Sequence, residues 1–483
     1  MKNIRIYTAL MFMALLTSTA FAQVISPVDF MRNNPRSVYA NPAFYTSDFG
    51  YFDLGLGGIN FGIQNIGLKY DKFFRFNNVG QPVTVDLDQG VASMRDVNYL
   101  NSFMNFDIFS SGRRTSHGYF TYTHRLRELQ TMSYNKDLVQ LLANGNGDFL
   151  GESNPADIGI GLSARIYQEF AVGYQMSLLE ELNIGLRLKF LMGFINAQSN
   201  SVGLKLYTDP ETYALSLWGM ADMNATLPYQ FVMEDGKPKI VDKRFNIANL
   251  FKNYGFGVDL GAEYMINEQF GVAAAINDLG SIKWNNFAVN FAGGLQDGGS
   301  FYHDGMFVFS GLTSEQLNGY LEDPEYAAQL VDSLMNYFGY DINNLTKYTT
   351  SLNANMMVRG YFNLNPENRF SAQLMGYNMG LGMKPALTLA YTGSFSGKYD
   401  VVATYTMMQG SFDNIGVGLS ANLGGMLIYV ASNNILGFFN PANTSQLNIQ
   451  LGLSFTSGDK WDRSETIVIK KIQQIEEEEG SED

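Results

Sequence analysis

The 483-residue sequence predicts an all-β fold: a transmembrane, antiparallel, up-and-down β-barrel of about 14 strands, with small helical loop insertions and a short N-terminal plug. Three observations predict it. Apolar and polar residues alternate with period two over long stretches. Such runs exceed the roughly 5–6 residues of ordinary globular strands and suit the roughly 9–11 that cross a bilayer at a tilt. After Gln23 no uninterrupted apolar stretch approaches 20 residues, which argues against an inner-membrane helical protein. Gly (49), Phe (36) and Tyr (28) are abundant while His and Trp number 3 each, a balance that suits many strands with aromatic belts.

Residues 1–22 read as a secretory signal: Lys2 and Arg5, an apolar run from Ile6 to Leu16, and Ala20-Phe21-Ala22 ahead of cleavage before Gln23. An exported chain without cysteine has neither disulfides nor a lipidated cysteine to hold it. Residues 23–50 form the expected plug segment. Within it Pro42 restricts Asn41 to extended or turn conformations and cannot donate to a sheet, so Asn41-Pro42-Ala43 turns the chain toward a first strand at Tyr51. The Gly-rich cluster near Gly55 lacks the helix and Lys of a phosphate loop and predicts a bent or bulged strand instead. Lys72 to Gly112 is compatible with a plug, a loop or poorly paired strands.

The barrel is expected over 51–458. In "ADIGIGLSARIYQ", Ile158, Ile160, Leu162, Ala164 and Ile166 alternate with Asp157, Ser163, Arg165 and Tyr167. "EFAVGYQMS" repeats the pattern. From Leu182 to Phe194, seven apolar residues oppose Asn183, Gly185, Arg187 and Lys189, as a strand between lipid and lumen requires. "YGFGVDLGAEYMI" and "QFGVAAAI" form a hairpin about Asn267-Glu268. Further runs begin near Tyr119, Val202, Tyr213, Leu352, Phe370, Ala386, Tyr399, Ile415, Met426 and Leu447, at least 14 candidates in all. Closure follows because backbone groups facing hydrocarbon find no water, so only helices or closed sheets span a membrane. A soluble sandwich also alternates, but its outer face is charged.

Two segments read as helices. In 313–340, Asp323 is an N-cap, Pro324 the first helical residue and Gly339 the stop, with apolar residues at three- and four-residue spacing. "NKDLVQLLANGNG" is a shorter helix ended by Gly145. Residues 459–483 make an acidic C-terminal tail that includes Glu476 to Glu479, either solvated or docked on a basic partner.

Composition limits function. Without the two signal bases the chain carries 30 basic against 46 acidic side chains, a poor balance for nucleic acid. His117 and His124 fall on opposite faces of one strand, which disfavours a catalytic triad or a two-histidine metal site. No enzyme activity, cofactor or metal is therefore expected. Arg165, Arg187 and Lys189 are expected to face Asp157, Asp259 and Glu263 across the lumen. They would form either a structural salt-bridge network or a cradle for a substrate carboxylate.

Asn41-Pro42-Ala43 before Gly-rich first strands resembles the FadL-type outer-membrane fatty-acid transporters, in which an Asn-Pro-Ala turn belongs to an N-terminal hatch inside a 14-stranded barrel. The resemblance implies a hatch at Asn41, Pro42, Ala43 and Phe44, an outer membrane of a Gram-negative bacterium, lipid around the barrel and a hydrophobic small-molecule ligand. "GNGDFLG", "YQEFAVGYQM", "LNIGLRLKFLMGFINA", "YGFGVDLGAEYMI", "INDLGSIKW", "ASNNILGFFNPAN" and "LNIQLGLSF" are similar to a FadL-related, uncharacterised outer-membrane family of Bacteroidota. The ending is also similar to PorP/SprF-type proteins and, more distantly, PorV. That similarity implies a secretion or gliding accessory barrel without transport, with a periplasmic or secretion-machinery partner at the C-terminal tail. Residues 23–48 are short for a full hatch, and the acidic tail lies outside the transporter pattern.

Overall fold

Successive hairpins run round the molecule until the last strand pairs with the first. The computed structural model describes residues 25–44, 50–75, 84–151, 153–212, 215–227, 230–234, 237–242, 251–294, 341–344, 347–378, 383–408, 411–441 and 444–457. The expected signal segment, the 313–340 insertion and the 459–483 tail lie outside these residues.

Fourteen antiparallel strands close the barrel among the described residues. They are β1 (Gly50–Leu54 and Ile59–Ile66), β2 (Val97–Thr115), β3 (Gly118–Asn135), β4 (Ile160–Ser177), β5 (Leu182–Thr208), β6 (Tyr254–Met265) and β7 (Phe270–Trp284). Then come β8 (Tyr348–Ser351 and Asn355–Asn363), β9 (Asn368–Asn378), β10 (Met383–Phe395), β11 (Tyr399–Met408), β12 (Ser411–Asn422), β13 (Met426–Ser432) and β14 (Gln446–Ser457). β14 pairs with both halves of β1, so no edge is left for hydrocarbon to meet. Phe52 and Phe455 stack across that seam at 5.4 Å.

Alternation decides what each face meets. Along β4, Ile160, Phe170, Val172 and Tyr174 point outward while Ser163, Arg165, Tyr167 and Glu169 are buried inside. The two runs seen in the sequence are therefore one strand. The outer wall stays apolar around the barrel, with Phe256 64% and Val358 59% exposed, as a lipid-facing band requires.

Tight turns collect at one end, together with the start of β1 and the end of β14. Ser396 and Gly397 both have positive φ, 54° and 59°, in the three-residue turn between the paired Phe395 and Tyr399. Asn267 and Asn365 each accept two backbone N–H bonds in the turns before β7 and β9. The opposite end carries the long connections. There β5 forks: its first half pairs with β6, and its second half pairs with an extra strand, Leu215–Thr226, that continues to Ala288–Gly294 and Asp341–Asn344. The run near Val202 thus belongs to β5. The helix Lys136–Asn144, ended by Gly145 at φ 80°, packs at this end above β3.

The uncertain stretch from Lys72 to Gly112 takes in the end of one short helix, Tyr70–Phe73, the whole of another, Leu87–Ala92, and then most of β2, which is paired on both sides along most of its length. A register shift between Asp107 and Phe109 breaks its alternation, which is why the period-two signal fails there.

Residues 25–44 lie inside the barrel as two 3-10 turns, Pro27–Phe30 and Pro35–Tyr39. Each starts with Pro, whose fixed φ suits a first helical position, behind a cap: Ser26 accepts from Val28 N–H and Asn34 from Arg36 N–H. Ile25, Val28, Phe30, Met31, Ala40 and Phe44 bury their apolar surface against inward side chains of the wall.

Candidate functional site

The inner wall is built around a buried ion network. Arg127 Nη1 lies 2.9 Å from both Glu169 and Asp278, and Arg125 Nε lies 3.2 Å from Asp107. Arg187 Nη1 is 2.8 Å from Asp259, while Lys189 Nζ is 2.7 Å from Asp259 and 2.5 Å from Asp278. All these groups are nearly inaccessible to solvent. Burial of charge is tolerable only with such close pairing, and removing one partner of a buried pair costs about 3–5 kcal/mol.

A bulge in β7 completes the network. Two residues, Asn277 and Asp278, oppose Asp259 alone, and Asp278 adopts φ 59°. Both side chains are buried, where strict alternation would place one of them outside. Asn277 Nδ2 donates to the Ala40 carbonyl at 2.8 Å, and Asp278 N–H donates to Asp259 at 2.7 Å.

The N-terminal segment engages this wall through Arg36, Tyr39 and the rings of Phe30 and Phe44. Arg36 bridges Asp53 (2.6 Å) and Asp107 (2.8 Å). Tyr39 donates to Asp107 at 3.2 Å and presents its ring to the guanidinium groups of Arg125 (3.7 Å) and Arg187 (5.0 Å). Arg359 lies over Phe30 (4.0 Å) and Phe44 (4.6 Å).

Asn41-Pro42-Ala43 sits against β4 to β7. Asn41 Nδ2 donates to the carbonyls of Ala262 (3.1 Å) and Ala274 (3.3 Å), and its Oδ1 accepts from Ala43 N–H at 2.8 Å. Gln175 donates to the Ala43 carbonyl at 3.0 Å. The approach needs glycine on the wall: a Cβ on Gly185 would lie 2.2 Å from the Pro42 carbonyl, and one on Gly261 1.9 Å from Asn41 Oδ1.

Of the six expected lumen charges, Arg187, Lys189 and Asp259 come together. Arg165 stands apart, donating to the Ser351 carbonyl at 2.8 Å, with no carboxylate within 4 Å among the described residues. Asp157 is corrected: it belongs to a short strand, Ala156–Asp157, paired with Lys205 and Leu206 at the long-loop end, where its backbone N–H donates to Asp137. Register restarts at Ile160, so parity from Asp157 does not carry into β4. Glu263 also leaves the cluster; it faces inward nearer the short-turn end, hydrogen-bonded with Tyr361. His124 lies outside, stacked on Phe170 at 4.1 Å, and His117 sits in the turn before β3.

Sequence reasoning missed Arg36, Asp53, Asp107, Arg125, Arg127, Glu169 and Asp278 as members of the network. Parity was available for Arg125, Arg127 and Glu169, which share the inward register of neighbouring strands. Asp278 had no such signal because the bulge reverses it.

Above the network, toward the long-loop end, the inward side carries a buried apolar cluster, Phe103, Leu129, Leu191, Ile282, Trp284 and Leu352, beside buried polar groups that include Gln64, Asn101, Thr131 and Thr350. Cavities beside the N-terminal segment are small, about 20 Å³ next to Arg36 and about 10 Å³ next to Val38 and Pro42. No group of three or more His, Cys, Asp or Glu suited to a metal occurs among the described residues.

A closed barrel with an apolar outer wall, a charged inner wall and its own N-terminal segment inside is a membrane-spanning β-barrel. The chain belongs to the family of unknown function DUF5723, whose model matches residues 42–433. No curated protein is significantly similar to it. Among solved structures it is similar to the Pseudomonas putida toluene transporter TodX (8% identity, TM-score 0.42, covering 91% of this chain and 99% of that one). It is also similar to a Pseudomonas aeruginosa FadL homologue (9%, 0.40, 91% and 99%) and to the Ralstonia pickettii toluene transporter TbuX (9%, 0.39, 89% and 97%).

Proposed function

We propose that the protein is an outer-membrane barrel of a Gram-negative envelope that binds a hydrophobic small molecule and admits it by diffusion, without cofactor or chemistry. The observation that carries this reading is the buried apolar cluster on the inner wall of the long-loop half, from Phe103 and Leu129 to Trp284 and Leu352. A water-filled pore has no use for such a lining, whereas a hydrophobic ligand is recognised by apolar walls with a few polar groups. Arg165 is the polar group at its base, beside Tyr167 and Tyr348. Arg187 and Lys189 are already committed to carboxylates of the wall. The Asn41-to-Phe44 turn then acts as the hatch that must leave β4 to β7 before a ligand passes.

Mass spectrometry of the gently purified barrel tests this directly. A bound hydrophobic molecule is expected, and Arg165→Gln should weaken retention of an anionic amphiphile while leaving the barrel folded. A barrel with no bound molecule and no uptake into vesicles would overturn the reading.

A second reading is a secretion or gliding accessory barrel with a permanent plug. The observation favouring it is how little space, about 20 Å³ and 10 Å³, remains in the two cavities beside the N-terminal segment. Removing Glu476 to Asp483 and losing co-purified periplasmic proteins would support it; unchanged co-purification would count against it.

A further inference from the structure

The wall beside β1 is shaped to hold a guanidinium group. β1 is interrupted at Gly55–Gly58, and against β14 its register shifts by three residues between Phe52–Phe455 and Ile59–Leu451. The interruption lets Arg36 approach the wall. A Cβ on Gly57 would lie 1.9 Å from Asp53 Oδ1 and 2.2 Å from Arg36 Nη2. Asp53 and Asp107 supply the two carboxylates, and the Tyr51 ring lies 5.6 Å from the guanidinium carbon. Ser110 (3.0 Å) and Ser454 (3.2 Å) both donate to Asp53 Oδ2 and fix it. Two carboxylates, an aromatic face and a missing Cβ match the planar, multi-donor guanidinium better than the point charge of an ammonium.

Asp53 has no other cation within 4 Å among the described residues, whereas Asp107 also meets Arg125. With the segment docked, Asp53 is 1% exposed and Arg36 is its counter-charge, so a docked segment without Arg36 leaves the carboxylate stranded. An uncompensated buried carboxylate costs several kcal/mol, so the segment docks poorly without Arg36 unless another cation enters. Arg36 donates a hydrogen bond to Asp53 through Nη2, while Nε and Nη1 have no hydrogen-bond partner among the described residues; Arg36 also lines the cavity of about 20 Å³, so the pocket is not filled to capacity.

We propose that Tyr51, Asp53, Gly57 and Asp107 form a guanidinium-binding site on the barrel wall, occupied by the segment's own Arg36 as a detachable key. The site takes a guanidinium or alkylguanidinium cation, including an arginine side chain, whenever Arg36 is absent or withdrawn. It does not depend on the identity of any molecule that crosses the barrel.

The chain has no cysteine, so one introduced thiol reports cleanly. In Val38→Cys protein, 4% exposed at that position, a water-soluble maleimide should react slowly. Adding Arg36→Ala should speed labelling at least about tenfold. Guanidinium chloride at non-denaturing concentration should slow it again, where sodium chloride at equal ionic strength does not. Asp53→Asn in the Arg36→Ala background should also slow it by removing the stranded charge. Heat-dependent gel mobility checks that the barrel stays closed. Arg36→Lys guards against a variant that fails to fold: it should label faster than the parent, because an ammonium fits the fork poorly. Unchanged labelling in Arg36→Ala, equal effects of the two salts, or parental labelling in Arg36→Lys would each overturn the proposal.

Discussion

Asp278 shows how one residue organises the lumen. Its φ of 59° is a conformation that Asp and Asn tolerate better than most residues, and there it meets Lys189, Arg127 and, through its N–H, Asp259. Asp278→Asn keeps the backbone preference and removes the charge, so the barrel should lose about 3 kcal/mol of unfolding free energy, read by denaturant titration of the buried Trp284 fluorescence. Asp29 offers a pH test in the N-terminal segment. Burial pushes its carboxyl up to about 6, against the bond from Ser26 N–H and the charge of Arg359. A carboxyl whose folded value is raised favours the docked state below its ordinary value near 3.8, and that contribution fades as pH rises through about 6. Labelling of Val38→Cys, divided at each pH by the rate of a free model thiol, should therefore quicken between about pH 4 and pH 7, and Asp29→Asn should flatten that ratio. Inward parity in β3 to β6 was legible for Arg165, Arg187, Lys189 and Asp259. It failed for Asp157 and Asp278 because a register break and a bulge are three-dimensional events that leave no period-two trace.

At the scale of elements, the turn at Asn41-Pro42-Ala43 depends on two glycines it never neighbours in sequence. Gly185→Ala places a methyl group against the Pro42 carbonyl, backbone that cannot rotate away, so the turn should lift from β5. Faster labelling of Val38→Cys with unchanged gel mobility is the expected result. An unchanged rate would mean that the turn is not held at this wall. The tripeptide itself announced a turn through Pro42, but not its contacts. Those require β4 to β7 to be assembled, and no local pattern encodes which carbonyls Asn41 will reach. The interruption of β1 was legible in its glycines. Its purpose was not, since Arg36 and Asp107 come from distant parts of the chain.

For the whole molecule, closure is the property most visible in the sequence, because every lipid-facing strand must alternate and be long. What alternation leaves open is the content of the lumen: inward positions hold charges in the middle and an apolar cluster among polar groups toward the long loops. That division motivates the central claim of a hydrophobic ligand, and the hatch role proposed for Asn41 to Phe44 predicts that Gly185→Ala, by lifting the turn, alters passage without changing the barrel. The most direct measurement is uptake of a fluorescent hydrophobic probe into vesicles carrying the purified protein, compared with empty vesicles. The account predicts protein-dependent uptake that rises in the Gly185→Ala variant. Uptake equal to empty vesicles in both proteins would contradict it.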